Sequence, residues 1–175
     1  MEIIKTVAEL MALSANTAPK ARGQDSVRIK VVTNSEIIGY LADKMKELGE
    51  QPGKKSYIRD SENVRNSQAV VILALQEAKP ANLNCGACGY PKCSQLPAPT
   101  EGPEHAGPLC AWRLIDLGIA LGSAVKTASI HNVDNRIMYT VGTAARKLGL
   151  MEGEIVVGIP LSAGSKNIYF DRTFA

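Results

Sequence analysis

Aromatic side chains are scarce in this 175-residue chain, which has two Phe, five Tyr and a single Trp, Trp112. With so few rings, a base-stacking platform has little to build on. Charge of one sign is thin as well: 20 basic residues stand against 17 acidic ones, the net charge is +3, and the one local cluster, Lys54-Lys55, reads as a solvated loop. Together these shortages exclude nucleic acid as a partner. Long apolar runs are also missing. Stretches such as Ala69-Val-Val-Ile-Leu-Ala-Leu75 fall far short of the ~18 residues a membrane helix needs, so no membrane span is expected. The opening Met1-Glu-Ile-Ile-Lys-Thr6 lacks a basic start followed by an apolar run, which argues against a secretory signal and for a cytoplasmic location.

Cysteine is the last scarce residue, and its placement carries chemistry. The four present, Cys85, Cys88, Cys93 and Cys110, read C-x2-C-x4-C-x16-C. A CxxC turn puts two thiolates on one side of a tight loop, the third follows within reach, and the fourth returns from a distance to close a tetrahedral set. Gly86 and Gly89 can take positive φ and turn backbone N–H groups toward sulfur, and Pro91 stiffens the loop. A zinc site usually shows two separated CxxC or CxxH pairs, and this chain has one. Two disulfides would require an oxidising compartment. The spacing therefore favours an iron–sulfur cluster, with zinc stapling a long loop as the alternative. His105, in the loop Pro103-Glu-His-Ala-Gly-Pro108, reads as a solvated loop histidine rather than a substitute ligand.

The remaining pattern is that of one globular domain over residues 1–175, long enough to bury roughly 70% of its unfolded surface. Apolar residues at helical steps predict a helix over 2–14, followed by a polar loop to residue 25. A β-branched strand is expected over 27–33, then a helix capped by Asn34 or Ser35, faced by Ile37, Ile38, Leu41, Met45 and Leu48, and stopped by Gly49. Residues 57–66 look irregular, with a short helix after Asp60, and 70–75 reads as a buried central strand. Residues 76–110 hold all four cysteines and a run of prolines and show neither period. A loop that long needs a reason, and a bound cluster supplies one. A long helix follows from Cys110 to about Ser129, with Leu114, Leu117, Leu121, Val125 and Ala128 on one stripe and Gly118 and Gly122 beside it. Another helix over 135–147, a strand over 154–161 and a short strand over 167–172 complete the chain. Helices and strands alternate, so the fold class is α/β (α+β), layered as a sandwich.

The cysteine segment resembles the motif Cys-Gly-x-Cys-Gly-x-x-x-Cys, with a fourth cysteine about sixteen residues on, that holds a 4Fe-4S cluster in the electron-transfer subunit RnfB and in the large subunit of the corrinoid iron–sulfur protein. Outside it, the layout is similar to the nitroreductase-type flavin fold, a three-layer sandwich. The matching pieces are Leu13-Ser-Ala-Asn-Thr-Ala-Pro19, residues 27–33 and 116–129, and Arg146-Lys-Leu-Gly-Leu-Met-Glu-Gly-Glu-Ile-Val-Val-Gly-Ile-Pro-Leu161. Taken whole, the chain resembles the ferredoxin domain-containing family DUF2148, which joins both features. The resemblance implies an electron-carrying protein with Cys85, Cys88, Cys93 and Cys110 on the cluster and unidentified redox donor and acceptor proteins as partners. It also implies FMN at a homodimer interface, with Ser14, Asn16, Lys20 and Arg22 facing the flavin and its phosphate and Lys166 as a further cation, which would make the protein a small reductase. Nitroreductases usually begin with an arginine-rich segment that this sequence does not show.

Overall fold

The computed structural model of the chain describes residues 2–170. Ile4, Val7, Ala8, Met11 and Ala15 form the buried stripe of α1 (Glu2–Thr17), which runs past its expected end at Ser14 because Ala15 still reaches the core. A six-residue strand, β1 (Val27–Val32), follows. Asn34 caps α2 (Ser35–Gly49), its Oδ1 accepting from the amides of Glu36 and Ile37 at 2.8 and 3.3 Å. Two donors that a helix start leaves open are thereby satisfied.

Where an irregular stretch with a late helix is expected, α3 (Lys55–Arg65) is a full helix. Its apolar period is thin because Asp60 and Ser61 share the inward face with Tyr57 and Val64. The fully buried β2 (Ala69–Leu75) comes next. Residues 76–110 are indeed largely without regular structure. They contain a 3-10 turn at Cys93–Gln95 and a small hairpin of β3 (Thr100–Glu101) and β4 (Ala106–Gly107). The chain ends with α4 (Ala111–Ile130), β5 (Asp134–Asn135), α5 (Tyr139–Lys147) and β6 (Ile155–Ser162).

Two expectations near the end shift. α5 begins at Tyr139 rather than Asn135 because Asn135 pairs with Leu161 in the sheet and Met138 bridges Gly158. The final strand over 167–172 is replaced by a turn at 168–170, in which the Tyr169 amide donates to Asn167 Oδ1 at 3.0 Å. Asp171 and Arg172 lie outside the described residues.

The main sheet has the order β1-β2-β6-β5 and is antiparallel throughout, with Val27 opposite Leu75 and Leu75 opposite Ile155. Side chains of β2 alternate between two cores. Ala69, Val71, Leu73 and Leu75 pack with α1 and α4, while Val70, Ile72 and Ala74 pack with α2, α3 and α5. Burial on both faces explains a continuous apolar run in an antiparallel strand, where one-sided sheets show alternation. The result is the expected three-layer sandwich.

Close layering depends on two glycines. A Cβ on Gly142 would stand 1.7 Å from the Val156 carbonyl oxygen, and one on Gly158 2.2 Å from the Val141 side chain, so α5 lies on β6 only because neither has one. On α4, Leu117, Leu121 and Ala128 face inward as expected, but Leu114 points out. Arg113 and Asp116 take the inward positions of the first turns instead. Gly118 and Gly122 have open space beside them.

Strand ends set the position of the cysteine segment. The Gln76 amide donates to Ser26 O at 2.9 Å, Glu154 N–H to Leu75 O at 2.8 Å, and Ala106 N–H to Glu154 O at 2.8 Å. Residues 20–26, 76–110 and the start of β6 therefore share one end of the sheet. Lys166 follows the opposite end, where Leu161 faces Ala69.

Candidate functional site

The cysteine segment is pinned on both flanks. On one flank the buried Arg113 guanidinium donates to Lys79 O at 2.9 Å, to Ala21 O and Gln24 O at 3.2 Å each, and to Asp116 Oδ2 at 3.0 Å. Asp116 Oδ1 in turn accepts from the Ala21 amide at 2.8 Å. Every charge in this pair is matched by further hydrogen bonds, the condition under which a buried ion pair is tolerated. It binds residues 20–24 and Lys79 to the first turns of α4, directly after Cys110.

On the other flank the β3–β4 hairpin is held to α3 and α5. Arg146 reaches Glu104 O at 2.7 Å and Glu101 at 2.8 and 3.1 Å, and Lys54 pairs with Glu104 at 2.8 Å. Burial pushes the Glu104 carboxyl upward, but Lys54 and the Tyr57 hydroxyl outweigh it and hold the group below the usual range. Burial and the neighbouring Arg146 charge hold His105 below its ordinary value, and its Nδ1 is enclosed without a hydrogen-bond partner. The expected solvated histidine is thus half-buried. Tyr57 is fully buried with its hydroxyl enclosed beside Thr143 and Glu104, and burial pushes its ionisation upward.

Between these flanks runs the cysteine segment, in which each sulfur has N–H donors or a second thiol beside it. The Trp112 indole Nε1–H donates to Cys85 Sγ at 3.1 Å, and the Ala87 amide, with this indole second, holds the Cys85 thiol below its ordinary value. The Asn84 amide donates to Cys93 Sγ at 3.3 Å while Asn84 Oδ1 accepts from the Cys93 amide at 2.9 Å. Cys110 is the N-cap residue of α4. Burial pushes its thiol up, yet the amides of Ala81, Trp112 and Arg113 and the Cys88 thiol beside it bring it below the usual value. The open amides of a helix start favour a thiolate at that position. Positive φ at Asn82, Asn84, Gly86 and Gly89 turns the backbone repeatedly through this stretch. Among the described residues no three His, Cys, Asp or Glu side chains gather as a ready metal-binding group. Cys88 and Cys110 lie side by side, Cys85 is tied to Trp112 and Cys93 to Asn84, and the four sulfurs are not closed into one set. That donor chemistry fits a thiolate-held metal cluster.

Two cavities adjoin the segment. One of about 430 Å³ is walled by Pro80, Pro97, Pro99, Pro108 and Leu109 and touches Cys110; the other, about 530 Å³, is more polar and lies toward Arg146. Glu77 and Glu154 border both.

The residues expected around a flavin fall at three places: Ser14 and Asn16 lie in the last turn of α1, Lys20 and Arg22 in the loop that follows it, and Lys166 after β6. Ser14 Oγ is shared with Leu10 O at 2.9 Å and Thr127 Oγ1 at 2.6 Å, and Lys20 Nζ donates to the carbonyls of Ala15 and Asn16. Asn16 and Arg22 are exposed, and Arg22, at φ 58°, reaches Ala81 O at 3.4 Å. Lys166 is exposed and follows the end of β6 at which Leu161 faces Ala69. Sequence reasoning overlooks Trp112, the Arg113–Asp116 pair and the Arg146–Glu101 clasp. Only the second left a sequence signal, two opposite charges at i, i+3 inside an apolar helix.

Fold and site together define a nitroreductase-like sandwich that carries a cysteine-rich segment at one end of its sheet. A nitroreductase with bound FMN from Desulfitobacterium hafniense DCB-2 superposes with a TM-score of 0.60 at 16% identity, over 92% of this chain and 78% of that one. The FMN-dependent nitroreductase NfnB of Mycobacterium smegmatis, solved with NADPH, gives 0.53 at 13% identity, over 92% and 78%. Residues 106–172 match the family described as "Uncharacterized protein containing a ferredoxin domain (DUF2148)". An "Uncharacterized protein" of Archaeoglobus fulgidus is 46% identical over 172 residues, 98% of this chain and 92% of its own length. The chain belongs to the DUF2148 family. No described helix is long and apolar enough to cross a membrane.

Proposed function

We propose that the chain is a redox protein in which Cys85, Cys88, Cys93 and Cys110 together ligate one 4Fe-4S cluster. The observation that carries this reading is the set of N–H groups turned onto the sulfurs of Cys85, Cys93 and Cys110. Such donors stabilise thiolate charge and tune a cluster's potential. When bound, a cluster of this kind takes up and releases single electrons. The protein's own residues supply the frame. Gly86 and Gly89 permit the turns, the Arg113–Asp116 network fixes the chain around Cys110, and the Arg146–Glu101 clasp holds the hairpin that leads into it.

FMN binding between two subunits is the second half of the proposal, and with flavin the protein is a small oxidoreductase that joins one-electron to two-electron carriers. The shared fold with an FMN-bound nitroreductase supports it. Asn16 and Arg22 are the exposed groups that face flavin and phosphate, with Ser14 and Lys20 holding their turn. A homodimer has a surface to use: Leu114, Ile115, Ile119 and Ile130 stand 42 to 66% exposed on the outer face of α4, beside the open glycines 118 and 122. Titrating oxygen-free protein with FMN, while light scattering gives its mass, tests this half. Flavin fluorescence is expected to quench on a dimer. A dimer that leaves fluorescence unquenched at tens of micromolar FMN contradicts the flavin reading and spares the cluster.

A further inference from the structure

Between Ala78 and Thr100 the chain has no carboxylate, and the two charges there, Lys79 and Lys92, are both exposed. Arg22 adds a third cation beside Ala81, whose carbonyl it contacts at 3.4 Å. Most nearby acids are already engaged: Asp116 with Arg113, Asp25 with Lys20 at 3.5 Å, Glu101 with Arg146, and Glu104 with Lys54. Glu77 and Glu154 remain, both on the cavity side of the segment. Within the cationic rim lie exposed apolar groups, Leu83 at 46%, Tyr90 at 36% and Trp112 at 36%. Trp112 is at the same time hydrogen-bonded to the exposed Cys85, so the outermost sulfur of the set and the apolar patch are one place.

We propose that this face, centred on Trp112 and Cys85 and rimmed by Lys79, Lys92 and Arg22, docks a small acidic one-electron carrier protein of the ferredoxin class. The inference rests on the cluster reading above and names the partner of that same site. One electron passes per encounter: the carrier is oxidised by one and the group held by the four cysteines is reduced by one, with no proton or atom transferred. Three cations around a small apolar centre suit a transient protein contact, in which opposite charge steers encounter and an apolar middle permits quick release. They do not track a polynucleotide backbone, and two aromatic rings give a strand little to stack on.

Binding to an acidic plant-type ferredoxin, measured by calorimetry at about 50 and about 300 mM salt, tests the assignment, with basic cytochrome c as the control. Association with ferredoxin is expected to weaken roughly tenfold at the higher salt, where screening shortens the reach of charge, and cytochrome c is expected not to bind. The double variant Lys79→Glu, Lys92→Glu, at two exposed ammonium groups that make no hydrogen bond or ion pair among the described residues, is expected to lose about tenfold at low salt with iron and sulfide content unchanged. Equal binding of both carriers, indifference to salt and charge reversal, or tighter binding of a single-stranded oligonucleotide overturns the docking face. Iron and sulfide counted on the same samples separate the two claims: their absence from the wild type defeats the cluster reading whatever the carrier does.

Discussion

The hydrogen bond from Trp112 Nε1–H to Cys85 Sγ, 3.1 Å long, is made by a side-chain donor, so a single substitution removes it and leaves the backbone donors of the site in place. An N–H donor on a cluster thiolate favours the more negative, reduced state, so losing it makes reduction harder. Trp112→Phe keeps a ring at the same place and removes the donor. Its cluster is expected to hold full iron and to titrate at a more negative potential, by on the order of tens of millivolts, given about 59 mV per tenfold change for one electron. A redox titration followed by electron paramagnetic resonance reads this directly, and an unchanged potential contradicts the role given to Trp112. The cysteines that define this site were legible because ligand spacing is written along the chain. Trp112 was not, because its partner sulfur lies 27 residues away and nothing in the local pattern pairs them.

At the level of elements, the β3–β4 hairpin is a polar clasp with few apolar anchors of its own, and its stability depends on pH. His105 is held below its ordinary value by burial and Arg146, so below about pH 6.5 the unfolded chain binds a proton that the folded chain resists. Stability is therefore full above that pH and falls as acid is added. Glu104, held low by Lys54 and Tyr57, contributes stability above its unfolded value near 4.3 that disappears as the pH drops through its folded value. Both act in the same direction. Urea unfolding between pH 7.5 and 5 is expected to show a declining stability that His105→Gln flattens in the range around pH 6, whereas an identical slope in the variant removes His105 from the account. The clasp was not visible in sequence and α3 only as a short helix after Asp60: Arg146, Lys54 and Glu101 are far apart along the chain, and α3 has polar residues on its buried face. Elements with strong periods, α1, α2, β2 and β6, fell where hydrophobic spacing put them, within a few residues.

The whole molecule is a two-sided sandwich whose regular parts pack on their own and whose irregular segment is the place of the proposed cluster. Both cores form from residues outside 76–110 almost entirely, while that segment is tied down by the Arg113–Asp116 network, the clasp and its own sulfur contacts. The layered fold was readable from alternating helical and strand patterns. The antiparallel order β1-β2-β6-β5 was not, because a strand buried on both faces has the same run of Val, Ile and Leu in either orientation. Placement of the flavin candidates followed the same rule: the neighbours in sequence, from Ser14 to Arg22, lie in the last turn of α1 and the loop that follows it, and Lys166, joined to them only by resemblance, comes after β6. Counting iron and acid-labile sulfide in protein purified without oxygen, beside the same count on Cys110→Ala, tests the central claim most directly. The account predicts about four of each per wild-type chain, a broad absorbance near ~400 nm that bleaches on reduction, and a sharp loss of both in the variant. One zinc per chain with no sulfide, or a Cys110→Ala protein that keeps its full complement, contradicts it.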